Sequence, residues 1–265
     1  MKNQNSWPKI SVITPSFNQG EFIEETIRSV ISQNYPNLEY IIVDGGSTDN
    51  SVQIIKKYAN KYPKIIRWVS EKDKGQSDAI NKGLKMSTGE ILCYLNSDDC
   101  FTSKALFFVA EFFLTYKEAY WLTGDYEIID ERGRKIQDYI RIYKKILRLF
   151  PSKFMIKIAN FINQPSTFWK REIYNQVGEL NLSYKYNMDY DYWLRIFKKG
   201  YKLYYLNKVL SKFRVHKQSK GVMEFEKQFK EDLAVLVDNF GKNLYYYLHL
   251  IHNFFIINLY KLLKK

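Results

Sequence analysis

The chain has 265 residues, 46% hydrophobic and 17% aromatic, with six prolines and twelve glycines, a balance that excludes a disordered chain or a long flexible linker and allows one large core or two small ones. Its net charge of +13 is lopsided: 15 Lys and Arg stand against 18 Asp and Glu up to Gly133, but 26 against 10 from Arg134 onward. Such a field suits a polyanionic partner, nucleic acid or an anionic membrane surface, unless it records only a lysine-rich composition.

In chain order, the start, MKNQNSWPKI, carries no apolar run of signal-peptide length, and Cys93 and Cys100 are too few for a disulfide framework. Both point to a reducing, cytoplasmic location. Strands are expected at 9–14, 38–44, 65–70, 90–95 and 119–124, with helical patterns at 21–32, 51–62, 76–86 and 103–113. This alternation predicts an α/β fold, a mostly parallel sheet flanked by helices. Ligands bind beyond the carboxyl ends of such strands. That rule gathers residues 14–18, 44–49, 71–75 and 96–99 into one rim.

Each rim segment offers something different. TPSFNQG has Thr14, Pro15 and Asn18 just past a strand, which turn chemistry alone could explain. In VDGGSTDNS, Asp44 precedes two glycines that permit close approach of a ligand, while Asp49 or Ser51 suffices to start the next helix. The nicotinamide-type fingerprint G-x-G-x-x-G is missing after the first strand. SEKDKGQSDAINKG brings charged residues, a glycine and a helix start together where a diphosphate could meet amide N–H groups; a solvated turn at Asp73 and Lys74 is the competing account. LNSDD places Asp98 and Asp99 at a strand end, a pair suited to Mg2+ or Mn2+, which commonly use one or two protein carboxylates with substrate phosphates. Thr102 or Ser103 is expected to cap the following helix, leaving both acids free.

Taken together, TPSFN, VDGGSTD, EKDKGQSDAINKG and LNSDD resemble, in content and order, the family-2 inverting glycosyltransferases of the glycosyltransferase A fold, common in bacterial surface-polysaccharide assembly such as lipopolysaccharide or capsule. The resemblance spans roughly Lys9 to Ser219. It implies a transferase domain over 1–219, with a nucleotide-sugar half to about 125 and an acceptor half from 126. Residues 220–265 are expected to form a helical, basic-aromatic extension. The resemblance also implies a nucleoside-diphosphate sugar donor, by family habit a UDP-sugar, with Asp44 at the nucleobase. Asp73, Gly75, Gln76, Asp78 and Asn81 would line the pocket beside Thr14, Pro15, Asn18, Asn96 and Ser97. NSDD becomes the metal motif. Asn96 stands where the family has its first acid, so Asp98 is the first choice of ligand and Asp99 the second, with His216 in FRVHKQS a candidate third and Arg214 and Lys217 nearby to balance charge.

Inversion requires a base for the acceptor hydroxyl. NMDYDYWLR offers Asp189 and Asp191, either of which could instead cap a helix. The resemblance favours Asp189 as base, keeps Asp191 as fallback, and leaves Met188 in place of a family glutamate. NQPSTFWKRE, with Gln164 and Trp169, and the later Trp193 are expected near the acceptor, with core packing the alternative for Trp169.

Two basic, aromatic segments remain, at 139–162 and 243–265. Polar residues interrupt the second, so it is expected to lie on an anionic inner membrane surface near a glycan or lipid-linked acceptor, or to pack on the domain through Leu244, Leu248, Ile251, Phe255 and Leu262. Besides a transferase, the residues admit a membrane or polyanion binding module on an inactive transferase-like domain. A nucleotidyltransferase is disfavoured because its glycine-rich, arginine-containing loop is missing, and nucleic acid is the less expected polyanion.

Overall fold

The computed structural model describes residues 7–149, 151–217, 219 and 224–263, with the backbone alone at 225 and 260–263. Strands β1 (Ile10–Ser16), β2 (Leu38–Asp44), β3 (Ile66–Ser70) and β4 (Ile91–Tyr94) run parallel in the order β3-β2-β1-β4. They are joined through α1 (Ile23–Ile31), α2 (Ser51–Lys61) and α3 (Gln76–Met86), all within two residues of expectation. A short strand, β5 (Cys100–Phe101), precedes α4 (Ala105–Thr115). Then come β6 (Trp121–Ile129), α5 (Asp138–Leu149), α6 (Met155–Ile158), β7 (Thr167–Lys170), α7 (Arg171–Val177), α8 (Met188–Lys198) and β8 (Leu203–Arg214).

The completed sheet is mixed, because β7 lies antiparallel between β4 and β6, and β5 pairs antiparallel with β8 at the edge. Strand β6 runs five residues past its expected end, since its parallel pairing with β8 continues through register shifts around Asp125 to Ile129 opposite Arg214. Apolar side chains cover both faces of the sheet. On one, Val12, Ile42 and Cys93 meet Ile27, Ile55 and Leu106 of α1, α2 and α4; on the other, Ile13, Ile41 and Leu92 meet Ile80 and Leu84 of α3 and Leu194 of α8. Strand ends are thereby held level, with Ser16 opposite Asp44 and Asp44 opposite Ser70.

Two helices close the chain, α9 (Phe225–Phe240) and α10 (Leu244–Leu263). The boundary expected at 219/220 abuts residues outside those described. Of the residues expected to pack α10 on the domain, Leu244 is 68% exposed and Phe255 66%, Ile251 is also exposed, Leu248 is half-buried, and the Leu262 side chain lies outside the described residues. Among its described side chains, the buried ones are His249 and Asn253. Helix α5 shares the inversion, exposing Ile142, Ile146 and Leu149 while burying Arg148, which pairs with Asp125 at 2.8 Å. The Tyr143 hydroxyl, 2.7 Å from His252 Nε2, ties these two helices together. Among the described residues no helix is long and apolar enough to cross a membrane.

Candidate active site

The first two rim loops are clipped to each other. Asn18, with φ of +50°, accepts the Thr48 N–H at 2.9 Å and donates its own N–H to Ser47 Oγ, while Asp49 accepts from Gly20. Thr14 and Pro15 are buried within β1, the Thr14 hydroxyl accepting from Tyr40. Asp44 is fully buried, and its carboxylate accepts from the Gly46 and Ser47 N–H groups and from the Ser47 and Ser70 hydroxyls. Gly45 next to it lets the Asp73 carboxylate lie close: a Cβ there would be 2.5 Å from Asp73 Oδ2, so a side chain at 45 would displace it.

The turn into α3 needs Gly75, whose φ of +112° suits only glycine. The amides expected to meet a diphosphate there are partly taken, since Asp73 accepts from the Gly75 N–H and Asp78 from that of Lys74. Gln76 reaches across the rim to Asn96 Oδ1 at 2.7 Å, and Asn96 in turn donates to Gln164 Oε1 at 3.3 Å. Gln164 donates to the Tyr94 carbonyl at 2.6 Å, which carries the polar chain from α3 across the end of β4. Asn81 points away from the rim; both ends of its buried amide bond the Leu180 backbone.

The acid pair divides by burial. Asp99 is fully buried, accepting the Arg214 N–H at 2.9 Å, and burial together with the charge of Asp98 raises its pKa well above the carboxylate range. Asp98 remains partly exposed, with Oδ2 3.1 Å from Nε2 of His216. Thr26 fixes the turn by donating to the carbonyls of buried Ser97 and of Asp99. Thr102 does not cap α4; its hydroxyl goes to the Val209 carbonyl, and the residue preceding the helix is left-handed Lys104. The acids escape capping because β5 intervenes, not because another residue does the capping. Arg214 is not free to balance charge at the site as expected. Its guanidinium is buried on Glu25 and on the carbonyls of Asp98, Asp130 and Glu131, so it holds the motif's backbone.

Across the rim, the segment entering α8 hangs from Glu231 of α9, whose carboxylate accepts the N–H groups of Lys185, Tyr186 and Asn187. Neither aspartate caps α8 from outside. Asp189 accepts the Tyr190 N–H at 2.7 Å, and burial pushes its carboxyl up to about 6 against the pull of that N–H and the Lys144 ammonium. Burial holds the Tyr94 hydroxyl, at the end of β4, well above its usual range, and the Asp189 charge adds to this. Asp191 cannot replace it, being buried and engaged by Arg195 at 2.8 Å and Asn239 at 2.9 Å. Met188 is buried against the Ser77 hydroxyl. Trp169 and Trp193 are fully buried, their rings 5.7 Å apart beside Trp121, so neither offers a face to an acceptor.

Lys144, whose charge bears on Asp189, and Glu231, which holds the segment ahead of α8, stand in none of the motifs quoted from the sequence.

Residues 11–178 match the model of the family described as Glycosyl transferase family 2. The chain is 30% identical over 208 residues, 78% of its length and 79% of the relative's, to TuaG of Bacillus subtilis (strain 168), named for teichuronic acid biosynthesis. It superposes with TM-score 0.71 at 20% identity on mannosyltransferase PcManGT from Pyrobaculum calidifontis, solved with GDP-Man and Mn2+, covering 95% of this chain and 70% of that one. For S. aureus TarS 1-349 with UDP-GlcNAc the TM-score is 0.66 at 19% identity, over 90% and 69% of the two chains, while this chain covers 41% of a longer TarS chain. Sheet and helices thus have the architecture of a glycosyltransferase A fold. The chain belongs to glycosyl transferase family 2 and is a glycosyltransferase.

Proposed function

We propose that this enzyme transfers a sugar, with inversion, from a nucleoside-diphosphate sugar to a hydroxyl of a glycan or lipid-linked acceptor in cell-surface polysaccharide synthesis. The observation that supports it is the Asp98–His216 contact just past β4, on the rim that the Gln76–Asn96–Gln164 chain also occupies, together with the raised carboxyl of Asp189 at the start of α8. Asp189 takes the acceptor proton, and a base so placed contributes about 10²- to 10⁴-fold. Asn96, Gln76 and Gln164 hold the rim between them as one hydrogen-bonded chain, and Asp44, with Asp73 packed against Gly45, closes the nucleobase end.

A carboxylate paired with an imidazole fits Mn2+ better than Mg2+, which prefers oxygen ligands. Among the described residues no group of three or more Asp, Glu, His or Cys could hold a metal, so the chain's share of the coordination is Asp98 and His216, with Asp99 holding the turn. A bound divalent cation supplies neutralisation of the leaving diphosphate.

The second basic half supports docking on an anionic membrane. Tyr139, Ile142, Ile146, Phe154, Phe254 and Phe255 face outward on or near α5 and α10, and each nearby Lys or Arg adds about 1 kcal/mol at such a surface.

Calorimetric titration with UDP and GDP tests the donor site. Wild type should bind at least one of them ten-fold or more tightly with Mn2+ than with EDTA, and Asp98→Ala should abolish that difference. Equal affinity with and without Mn2+ would contradict the metal assignment.

A further inference from the structure

A cavity of about 450 Å³ opens beside His216, whose Nε2 meets Asp98 Oδ2 at 3.1 Å. Its walls are Asp130, Glu131, Arg132 and Arg134, from the turn after β6, and Val215, His216 and Lys217, just past β8. Glu131, Arg132, Arg134 and Lys217 are exposed, so the cavity is open to solvent. Among the described residues, none of those expected to line the nucleotide-sugar pocket borders it. The cavity thus adjoins the candidate metal ligands without belonging to the donor rim.

The walls are fixed, and their charges are unevenly spent. Gly133, with φ of +77°, closes the turn by donating its N–H to the Asp130 carbonyl at 3.0 Å, and the Asp130 N–H goes to the Arg134 carbonyl at 2.9 Å. The buried Arg214 guanidinium bonds the carbonyls of Asp130 and Glu131, each at 3.2 Å, and that of Asp98 at 2.9 Å, so one side chain sets the turn and the acid motif in a single frame. Both wall acids are occupied. Asp130 accepts the N–H groups of Arg132 and Arg134 and pairs with the Arg134 guanidinium at 2.7 Å, while Glu131 accepts the Lys217 N–H at 3.1 Å. The Arg132 guanidinium and the Lys217 ammonium enter no hydrogen bond or ion pair among the described residues. A planar fork and a point charge on one open cavity suit a carboxylate or a phosphate.

We propose that this cavity is an acceptor subsite for an acidic sugar unit, with Arg132 and Lys217 binding the carboxylate or phosphate that the unit carries. A unit of the acceptor glycan other than the one that receives the sugar is enough. The donor's diphosphate is the other anion of the reaction, and the function proposed above meets its charge with a cation on Asp98 and His216, which leaves Arg132 and Lys217 for an anion from outside the donor rim. An acidic glycan also suits the basic half of the chain, 26 Lys and Arg against 10 Asp and Glu from Arg134 onward. This rests on the transfer reading above, but its test does not need turnover. Methyl glucuronide carries the carboxylate, glucose 6-phosphate the phosphate, and methyl glucoside neither. Each is followed by saturation-transfer NMR on the full chain in about 10 mM salt, where exposed charges are least screened, and UDP and GDP are titrated with Mn2+ on the same samples.

At least one acidic sugar should bind wild type about ten-fold or more tightly than methyl glucoside, roughly 1.4 kcal/mol. Arg132→Gln with Lys217→Gln should remove that preference while keeping the melting temperature and nucleotide affinity of wild type. Lys56→Gln with Lys61→Gln, the same loss of charge at exposed positions of α2, should leave it intact. Two results would overturn the subsite: wild type prefers neither acidic sugar, or both double variants lose the preference equally, which would trace it to net charge. Arg132→Gln with Lys217→Gln weakening UDP or GDP while sparing the acidic sugars would also overturn it, assigning the cavity to the donor diphosphate. Failure of both nucleotides to bind wild type, with the preference still lost in that variant, would instead sink the donor reading and leave the subsite standing.

Discussion

A carboxyl with a pKa of about 6 is ionised roughly ten to one at pH 7, so Asp189 is ready to accept a proton yet basic enough to hold one. Its pKa is raised by burial, so ionisation is disfavoured in the fold relative to the unfolded chain, where such a group titrates near about 4. The charge therefore costs stability above pH 6, and this cost disappears as the pH falls below about 4. Asp189→Asn should lower turnover by about 10²- to 10⁴-fold while its melting temperature at pH 8 equals or exceeds that of wild type. In the wild type, kcat/KM should fall about tenfold per unit on the acid side of a pKa near 6. A flat acid limb would remove Asp189 from the base role. The position of Asp98 was legible in sequence because the strand-to-helix alternation fixes where a parallel strand ends. The division between Asp98 and Asp99 was not, since it depends on the Arg214 N–H, 115 residues away in sequence.

The elements that carry this chemistry are α8 and the helices holding it. Glu231 of α9 takes three backbone N–H groups ahead of α8, so the base is set by a helix from the far end of the chain. Periodicity locates helices but does not say which face is covered, and for α5 and α10 it misleads. Arg148 is buried because Asp125 and the Phe161 carbonyl receive it, and His249 because the Lys157 carbonyl does, while apolar residues remain outside. The tryptophans went astray for the opposite reason: Trp169 and Trp193 lie in segments that also contribute polar residues to the rim, but strand and helix phase turns their rings into the core. An outward apolar face with lysines around it should act on membranes. Flotation with vesicles of phosphatidylglycerol and phosphatidylcholine should carry wild type upward. Phe254→Ser with Phe255→Ser should float less without a change in melting temperature, and equal flotation would detach this face from membrane binding.

At the scale of the whole molecule, the first half brings four loops to one rim, and the second half bends back across it with β7, β8 and the α8–α9 pair. The rim was readable because it follows from parallel-sheet geometry; the returning half was not, because its contacts depend on an antiparallel strand and on helices whose partners lie far off in sequence. Family membership fixes the class of reaction; in the function proposed, the work is divided between the acid pair beyond β4 and Asp189 at the start of α8. The most direct measurement is release of free nucleoside diphosphate from a panel of nucleotide sugars with Mn2+ and a panel of glycoside acceptors, run on wild type, Asp98→Ala and Asp189→Asn. The account predicts acceptor-dependent release by wild type with at least one donor and loss of about 10²-fold or more in both variants. Wild-type rates in both variants would contradict it, as would the absence of release with every donor, which would point to a binding module built on a transferase fold.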